Sequence, residues 1–300
     1  MKIVIVGAGF GGLRLARKLN NKPGIEVVLI DRFNHHQFQP LFYQVATAAL
    51  NGSDISFPLR KVFHNSKNVS VRLAELSQIN AADNTVVTSE GNFAYDQLVI
   101  ATGADTNFFG NSNFEKFAWP MKSTVDAMEI RNHILKNFEA ALMEADVLHR
   151  QRLLNIVVVG AGPTGVELSG AIAEMKKYVL PKDYPGLDFE AMDIYLLEGG
   201  LKTLAAMSEK SSLQSKNYLE RLGVKVKTNA MMQDYNGKTV FLADGSSIES
   251  SMVIWAAGIK GNIPTGIDAS LIVRGNRIKV NVQCKVEGTK NIYSIGDVAY

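Results

Sequence analysis

Short runs of apolar residues alternate along this chain with stretches in which apolar residues recur at helical spacing. The first run, Lys2–Val6, is apolar without alternation, which is typical of a strand buried on both faces of a sheet. The pattern then predicts a helix over Leu13–Leu19 and strands over Val27–Ile30 and Leu98–Ile100. Strands that alternate with helices indicate parallel sheets, so we expect doubly wound α/β folds.

A second round of the same pattern follows in the middle of the chain. It predicts a strand over Leu154–Val159, a helix over Val166–Met175 and a strand over Asp193–Leu197. Between the two rounds, Ser123–Leu148 carries apolar residues at helical spacing, and its first residues have the spacing of a capping box. This segment is therefore predicted to be a long helix.

The two rounds are near copies of each other. Ile3–Gly9 reads IVIVGAG, and Ile156–Gly162 reads IVVVGAG. Likewise Leu98–Gly103 reads LVIATG, and Val253–Gly258 reads VIWAAG. Self-similarity of this kind indicates that one nucleotide-binding fold occurs twice in the chain.

The first copy carries the motif Gly7-x-Gly9-x-x-Gly12 between its strand and its helix. In such motifs the first glycine permits a tight turn, the second lets backbone approach a pyrophosphate, and the third lets helix and strand pack closely. The pyrophosphate lies at the helix N-terminus, where free N–H groups favour an anion. Asp31, 19 residues after Gly12, ends the next strand, where an acid accepts hydrogen bonds from a ribose. Strand, helix and acid together predict a dinucleotide site.

The second copy carries Gly160-x-Gly162-x-x-Gly165, and its acid is Glu198. The acid lies 33 residues after Gly165, and we expect the excess over the usual spacing to be a surface excursion, Tyr178–Asp188. A carboxylate here accepts from a ribose 2′-hydroxyl and repels a 2′-phosphate, and no arginine follows it. The second copy is therefore predicted to bind NAD(H) rather than NADP(H).

Over its whole length the sequence resembles the pyridine-nucleotide flavoprotein reductases. Besides the two glycine motifs, the resemblance lies in Asn291–Asp297 (NIYSIGD), an apolar strand that ends in Gly-Asp. In such flavoproteins this aspartate receives hydrogen bonds from the ribityl chain and phosphate region of FAD, which implies that Asp297 binds FAD. Asp297 lies after the second nucleotide fold, so the chain is expected to return to its first domain.

The expected fold is thus α/β, with two Rossmann-like doubly wound nucleotide-binding domains, the NAD domain being inserted into the FAD domain. The predicted bounds are residues 1–115 for the first segment of the FAD domain, 116–262 for the NAD(H) domain, and 263–300 for the second segment of the FAD domain.

Three further segments narrow the resemblance to one group. Phe38–Thr47 (FQPLFYQVAT), Gly162–Glu167 (GPTGVE) and Leu180–Pro185 (LPKDYP) are similar to segments of type II NADH:quinone oxidoreductases. These are single-subunit, non-pumping respiratory NADH dehydrogenases that sit on the membrane surface. The sole cysteine, Cys284, leaves no redox pair, unlike the disulfide reductases and the sulfide:quinone reductases.

The resemblance implies FAD-dependent oxidation of NADH with electron transfer to a membrane quinone. It also singles out Glu167, which matches a glutamate that faces flavin and nicotinamide in the family and assists positioning or proton delivery. The alternative for Glu167 is a purely structural role, because a carboxylate in the first turn of a helix is stabilised by the helix dipole. Two alternatives to quinone reduction stay open: an NADH-dependent flavoprotein reductase with a ferredoxin-like protein or oxygen as acceptor, and a non-catalytic NAD(H) sensor.

The predicted cofactor-binding residues lie in or beside these motifs. For FAD they are Gly7, Ala8, Gly9, Phe10, Gly11, Gly12, Asp31, Arg32, Gln44, Leu76, Ala101, Thr102, Gly103 and Asp297. For NAD(H) they are Gly160, Gly162, Pro163, Thr164, Gly165, Glu198, Ala257 and Gly258. No metal site is expected, since His35 and His36 have no acidic or cysteine partners close by in the sequence.

Composition and charge narrow the possible partners. The 300 residues are 46% hydrophobic and 20% charged, as in a globular protein with a full core, and the net charge of +3 gives no electrostatic case for nucleic acid. No apolar run reaches the roughly 18 residues of a spanning helix, so membrane contact is expected to be peripheral. Family members continue beyond the position of Tyr300, so the resemblance implies attachment to the cytoplasmic face of the cell membrane through a C-terminal region outside these residues. A homodimer is the assembly considered.

Overall fold

The structure, a computed structural model, describes residues 1–300 and divides into two compact units. The first unit consists of Met1–Gln37, Ser56–Asp105 and Ile259–Tyr300. The second unit consists of Phe38–Ile55 and Thr106–Gly258.

The strands, in chain order, are β1 (Lys2–Val6), β2 (Glu26–Asp31), β3 (His35–Gln37), β4 (Ser56–Pro58), β5 (Val69–Leu73), β6 (Leu76–Asn80), β7 (Thr85–Thr88), β8 (Gly91–Ala94), β9 (Gln97–Ile100), β10 (Ala104–Thr106), β11 (Trp119–Pro120), β12 (Ile156–Val159), β13 (Ile194–Leu197), β14 (Val224–Lys227), β15 (Met232–Tyr235), β16 (Thr239–Leu242), β17 (Ser247–Glu249), β18 (Met252–Trp255), β19 (Ile259–Gly261), β20 (Ile272–Val273), β21 (Arg277–Ile278) and β22 (Ile292–Ser294). The α-helices are α1 (Phe10–Leu19), α2 (Phe42–Ala46), α3 (Leu59–Val62), α4 (Ser112–Phe117), α5 (Thr124–Met143), α6 (Val147–Leu154), α7 (Pro163–Tyr178), α8 (Leu180–Asp183) and α9 (Glu209–Arg221). Short 3-10 turns occupy Gln39–Leu41, Gly52–Ile55, Phe189–Ala191, Ala269–Leu271 and Gly296–Val298. None of the helices has the length and apolar character needed to cross a membrane.

The first unit is built on a five-stranded parallel sheet in the order β22-β9-β1-β2-β5. One face of β1, with Ile3 and Ile5, packs in an apolar cluster with Ala16 of α1. The opposite face, with Val4 and Val6, packs with residues of the antiparallel sheet β6-β7-β8. Burial on both faces explains why the apolar run does not alternate with polar residues.

The second unit repeats this plan with a five-stranded parallel sheet in the order β11-β18-β12-β13-β14. Ile156 and Val158 of β12 face an apolar cluster shared with α2, α5 and α7. Val157 and Val159 face the other cluster, which includes the antiparallel sheet β15-β16-β17. The α/β fold with two Rossmann-like sheets, predicted from the repeated pattern, is thus confirmed.

The long helix predicted over Ser123–Leu148 is two helices. The predicted capping box is present, with the Ser123 hydroxyl accepting from the Asp126 N–H and the Asp126 carboxylate accepting from the Ser123 N–H. The chain leaves the helix after α5, and the Asp146 side chain caps α6 by accepting from the N–H of His149 at 2.7 Å. Because α6 continues to Leu154, the strand predicted from that residue begins two residues later.

The surface excursion predicted over Tyr178–Asp188 agrees with the structure, in which most residues of this segment are exposed. The segment contains α8, and its residues Leu180 and Leu187 are buried in the same cluster as Phe138. The ring of Tyr184 meets that of Phe138 edge-on at 5.6 Å. Leu180 and Leu187, on either side of the two prolines, thus pack a mostly exposed segment against the core of the second unit.

The compact units differ in their bounds from the predicted domains 1–115, 116–262 and 263–300. The segment Phe38–Ile55, counted in the first domain, lies in the second unit. Its residues Phe42, Val45 and Ile55 are buried in the cluster of α5 and α7, and this burial holds the segment there.

Candidate nucleotide-binding sites

The first glycine loop joins β1 to α1 in a conformation that requires glycine at its start. Gly7 has φ +102°, and its N–H donates to the Ile30 carbonyl at 2.8 Å. A Cβ at Gly7 would lie 2.1 Å from the carbonyl oxygen of Ala101. The loop therefore packs directly on the segment after β9, where Thr102 and Gly103 follow.

The other two glycines of this loop have different surroundings. A Cβ at Gly12 would lie 1.9 Å from the carbonyl oxygen of Gly7, so the first turn of α1 can approach β1 only without a side chain. A Cβ at Gly9, the residue that precedes α1, would meet no atom within 4 Å. Gly9 is therefore not required for packing, and its bare backbone leaves open space at the helix N-terminus that suits the approach of a phosphate.

Asp31 at the end of β2 is fixed against the same loop. Its Oδ2 accepts from the Ala8 N–H at 2.6 Å, and its Oδ1 accepts from the Phe33 N–H at 2.8 Å. Desolvation by burial raises the pKa of Asp31, while the two backbone hydrogen bonds oppose that rise. The carboxylate is thus oriented at the end of the sheet where, in dinucleotide-binding folds, an acid accepts hydrogen bonds from a ribose.

The structure also brings the predicted Gly-Asp strand to this edge. β22 pairs in parallel with β9, so that Asp297 follows the C-terminal end of its strand as Ala101 does. A Cβ at Gly11 would lie 3.3 Å from the Ile295 side chain, which places the strand end beside the first turn of α1. Asp297 itself is exposed.

The second glycine loop repeats the packing of the first. Gly160 has φ +100°, and a Cβ there would lie 2.5 Å from the Cα of Ala257. A Cβ at Gly165 would lie 1.9 Å from the carbonyl oxygen of Gly160. At Gly162, the residue before α7, a Cβ would meet nothing within 4 Å. The repeat in sequence is therefore a repeat in atomic packing.

Glu198 occupies the place of Asp31 in the second unit. Its Oε2 accepts from the Ala161 N–H at 2.8 Å, and its Oε1 accepts from the Gly200 N–H at 2.7 Å. The extra methylene of glutamate does not alter this pattern, in which one oxygen holds the glycine loop and the other holds the following turn. Both loops thus present a bare helix N-terminus beside an oriented acid, which fits the diphosphate and ribose of a dinucleotide.

Five further residues that were predicted to bind the cofactors lie in different elements of the two units. Arg32 is exposed, with its guanidinium 5.1 Å from the centre of the Phe33 ring, and Leu76 begins β6. Pro163 and Thr164 form the first turn of α7. The structure does not bring Gln44 into the first unit: it lies in α2, where its Nε2 donates to the Tyr43 hydroxyl at 3.0 Å.

One neighbour of the second site was missed in the sequence. Phe109 is 65% exposed and has φ +52°, a backbone conformation that is strained for an aromatic residue. A Cβ at Gly258 would lie 2.7 Å from the Cζ of its ring. Residue spacing holds no signal for this contact, because Phe109 precedes the second glycine motif by a long stretch of chain.

Glu167 lies at a groove of about 1130 Å³ in the second unit. The groove is lined from α2, α7 and α9, by residues that include Tyr43, Val166, Glu167, Glu174, Tyr218 and Arg221. Although the residue is exposed overall, partial desolvation of its carboxyl raises the pKa of Glu167. A carboxyl that keeps its proton to higher pH is suited to proton transfer.

The sequence and the fold are similar to those of characterised proteins. The pyridine nucleotide-disulphide oxidoreductase family matches residues 1–300. The type II NADH:quinone oxidoreductases NdhA and Ndh of Mycobacterium tuberculosis are both 37% identical to the chain, which covers 66% of the first and 67% of the second. A solved structure of NDH2 from Plasmodium falciparum in complex with NADH is 25% identical, with a TM-score of 0.89 over 99% of this chain and 64% of that one. The chain thus spans about two thirds of the length of these relatives.

Proposed function

Because this chain belongs to the pyridine nucleotide-disulphide oxidoreductase family, and within it to the type II NADH:quinone oxidoreductases, we propose that it takes part in the FAD-dependent oxidation of NADH with quinone as acceptor. The observation that carries the proposal is the duplicated loop. Each copy combines a glycine that leaves the helix N-terminus bare with an acid held by the loop's own backbone. Two dinucleotides of different kinds are what a flavoprotein that uses NADH has to bind.

We assign the first loop to FAD and the second to NAD(H). Gly9 would admit the FAD diphosphate at the N-terminus of α1, with Asp31 accepting from the adenosine ribose. Asp297, which follows β22 of the same sheet, would bind the ribityl and phosphate region. Gly162 and Glu198 would hold the corresponding parts of NAD(H). Bound FAD would supply the redox chemistry, namely acceptance of two electrons from NADH and their release to the quinone.

A quinone acceptor dissolved in a bilayer requires the enzyme to work at the membrane surface. The peripheral position on the cytoplasmic face, attachment through a C-terminal region and a homodimer stay predictions. The same holds for Gln44, Leu76 and Arg32 as flavin contacts.

The decisive experiment is an anaerobic titration of the FAD-loaded protein with NADH, followed by quinone. We expect NADH to bleach the flavin absorbance and quinone to restore it. Bleaching that oxygen or a ferredoxin-like protein reverses, but quinone does not, would favour another flavoprotein reductase. NADH binding without bleaching would favour a sensor and would contradict the proposed function.

For Glu167 we propose a part in proton delivery, carried by its position on the groove and its raised pKa. Glu167→Gln is expected to slow quinone turnover by about tenfold or more, because general acid–base catalysis typically contributes at least that much. Since the raised pKa lets the proton persist at higher pH, wild-type turnover should decline as pH rises through that pKa, whereas the variant should show no such step. Steady-state rates measured against pH give both results, and FAD content should stay unchanged.

Glu174→Gln provides a matched control, because Glu174 lies on the same helix and lines the same groove. It should leave the rate and its pH profile unaltered. The structure corrects the expected place of Glu167, because α7 begins at Pro163 and its first turn contains no acid. The effect of the helix dipole falls off within the first turn, so it gives Glu167 little stabilisation. Stopped-flow rates of flavin reduction and reoxidation that are normal in Glu167→Gln would contradict the proposed part in proton delivery.

A further inference from the structure

A buried histidine contacts the first glycine loop from outside the glycine motif. His36 lies in β3, is 7% exposed, and has its Nδ1 2.9 Å from the carbonyl oxygen of Ala8. A carbonyl oxygen only accepts hydrogen bonds, so the imidazole must carry its proton on Nδ1 and donate it. The Phe10 ring meets the imidazole edge-on, at 5.0 Å and 87°.

The local strand pairing explains how His36 reaches the loop. β3 pairs antiparallel with β4, where His36 is opposite Phe57. The Leu59 N–H donates to the Asn34 carbonyl at 2.8 Å and extends this connection by one more bond. The paired strands thus hold the backbone of His36 in place beside the loop.

The hydrogen bond from His36 helps to fix the orientation of the Ala8 backbone in the loop. The Ala8 N–H donates to Asp31 at 2.6 Å, so the residue is held through both of its backbone polar groups. The Ala8 carbonyl and the Gly9 N–H belong to one planar trans peptide group and point in opposite directions. Because His36 fixes the carbonyl, it also turns the Gly9 N–H away from the histidine.

The second glycine loop shows the same arrangement with a different donor. The Ala161 carbonyl, which matches that of Ala8, accepts from the backbone N–H of Leu204 at 2.8 Å. The Ala161 N–H donates to Glu198, as that of Ala8 does to Asp31. In both copies the alanine carbonyl therefore has a hydrogen-bond donor, which is a main-chain N–H in the second unit and an imidazole in the first.

We propose that His36 is a positioning residue for the FAD diphosphate, acting through the Ala8–Gly9 peptide group. The proposal rests on the assignment of FAD to the first loop. Without the imidazole donor this peptide group is free to rotate, and the backbone N–H that faces the diphosphate is lost for part of the time. The affinity for FAD is therefore lower without the imidazole, while the affinity of the second unit for NADH is unaffected.

Two polar variants of similar size test this. In His36→Asn the amide nitrogen takes the place of Nδ1 and keeps the donor, whereas in His36→Gln it takes the place of Nε2 and cannot serve Ala8. We expect the Kd for FAD to rise about tenfold in His36→Gln, which corresponds to about 1.4 kcal/mol, and to stay within about threefold of wild type in His36→Asn. Titration of the apoprotein with FAD, followed by flavin fluorescence, measures both.

His35→Asn serves as the neighbouring control, since the His35 ring contacts Asn34 rather than the loop, and it should leave the FAD affinity unaltered. Equal FAD affinities in His36→Gln and His36→Asn would overturn the proposal, whether both match wild type or both are weakened. Circular dichroism melts of the two apoproteins report folding separately, so that a lower melting temperature without the difference in FAD affinity shows a structural role alone. A wild-type protein that binds no FAD would instead refute the proposed function.

Discussion

Gly162→Ala is expected to remove NADH oxidation while the protein keeps its fold and its FAD. An added Cβ at Gly162 meets no protein atom within 4 Å, so the second unit accommodates it without strain. On the proposed assignment, the methyl group would instead occupy the space through which the NADH diphosphate reaches the N-terminus of α7. We expect the Kd for NADH to rise on the order of a hundredfold, roughly 2.7 kcal/mol, as measured by calorimetry or by the rate of flavin bleaching.

The duplicated loop supplies the reciprocal experiment. Gly9→Ala should release FAD and leave NADH binding intact, because its Cβ also meets nothing within 4 Å. Gly165→Ala is different in kind, since its Cβ would lie 1.9 Å from the Gly160 carbonyl oxygen and would disrupt the loop itself. A lowered melting temperature is expected for Gly165→Ala and not for Gly162→Ala. Wild-type affinity for NADH in Gly162→Ala would show that the diphosphate does not bind there.

NADPH is expected to be a poorer electron donor than NADH by about tenfold or more in kcat/KM. Both oxygens of Glu198 are held by backbone N–H groups, so the carboxylate cannot swing away from an added 2′-phosphate. Two unit charges about 4 Å apart repel by about 4 kcal/mol at an effective dielectric near 20, before relaxation and screening reduce this. Lys202, four residues further along, is paired with Glu209.

Glu198→Gln tests the cause of this preference. The variant removes the charge and keeps the size of the side chain, at the loss of one of the two backbone hydrogen bonds because an amide nitrogen cannot accept. The ratio of kcat/KM for the two donors should therefore move towards one. Glu190→Gln, at an exposed acid in the same unit, should leave the ratio as it is in wild type. Equal kcat/KM values for NADH and NADPH in the wild-type protein would rule out the role given to Glu198.

The glycine motifs, their strands and their acids could be predicted because each depends on residues close together in the chain. Gly12 must be bare since it packs on Gly7, five residues earlier, and such a steric demand leaves a fixed spacing in the sequence. Asp31 follows from the same logic, because it ends the next strand of the same unit. The return of the chain to its first sheet was predicted by a resemblance, carried by the Gly-Asp strand, rather than by spacing.

Other features were decided by packing between distant parts of the chain. The segment Phe38–Ile55 belongs to the second unit because Phe42 and Val45 find their apolar partners there, and no local pattern says which core an apolar residue will join. Leu180 and Leu187 likewise pack on the core of the second unit, although the excursion that carries them is mostly exposed as predicted. The proline and glycine residues around them signalled turns, and burial is compatible with turns.

The sequence by itself determined the two glycine loops, since turn conformation, close helix–strand contact and a strand-end acid are local requirements that restrict residue type at fixed spacing. Only the tertiary structure decided what supports those loops from outside. The donor to the Ala8 carbonyl is a side chain, His36, whereas the donor to the Ala161 carbonyl is the backbone of Leu204. Any N–H group at the right position can donate to a carbonyl oxygen. The need for a donor therefore fixes neither a residue type nor a spacing in the sequence.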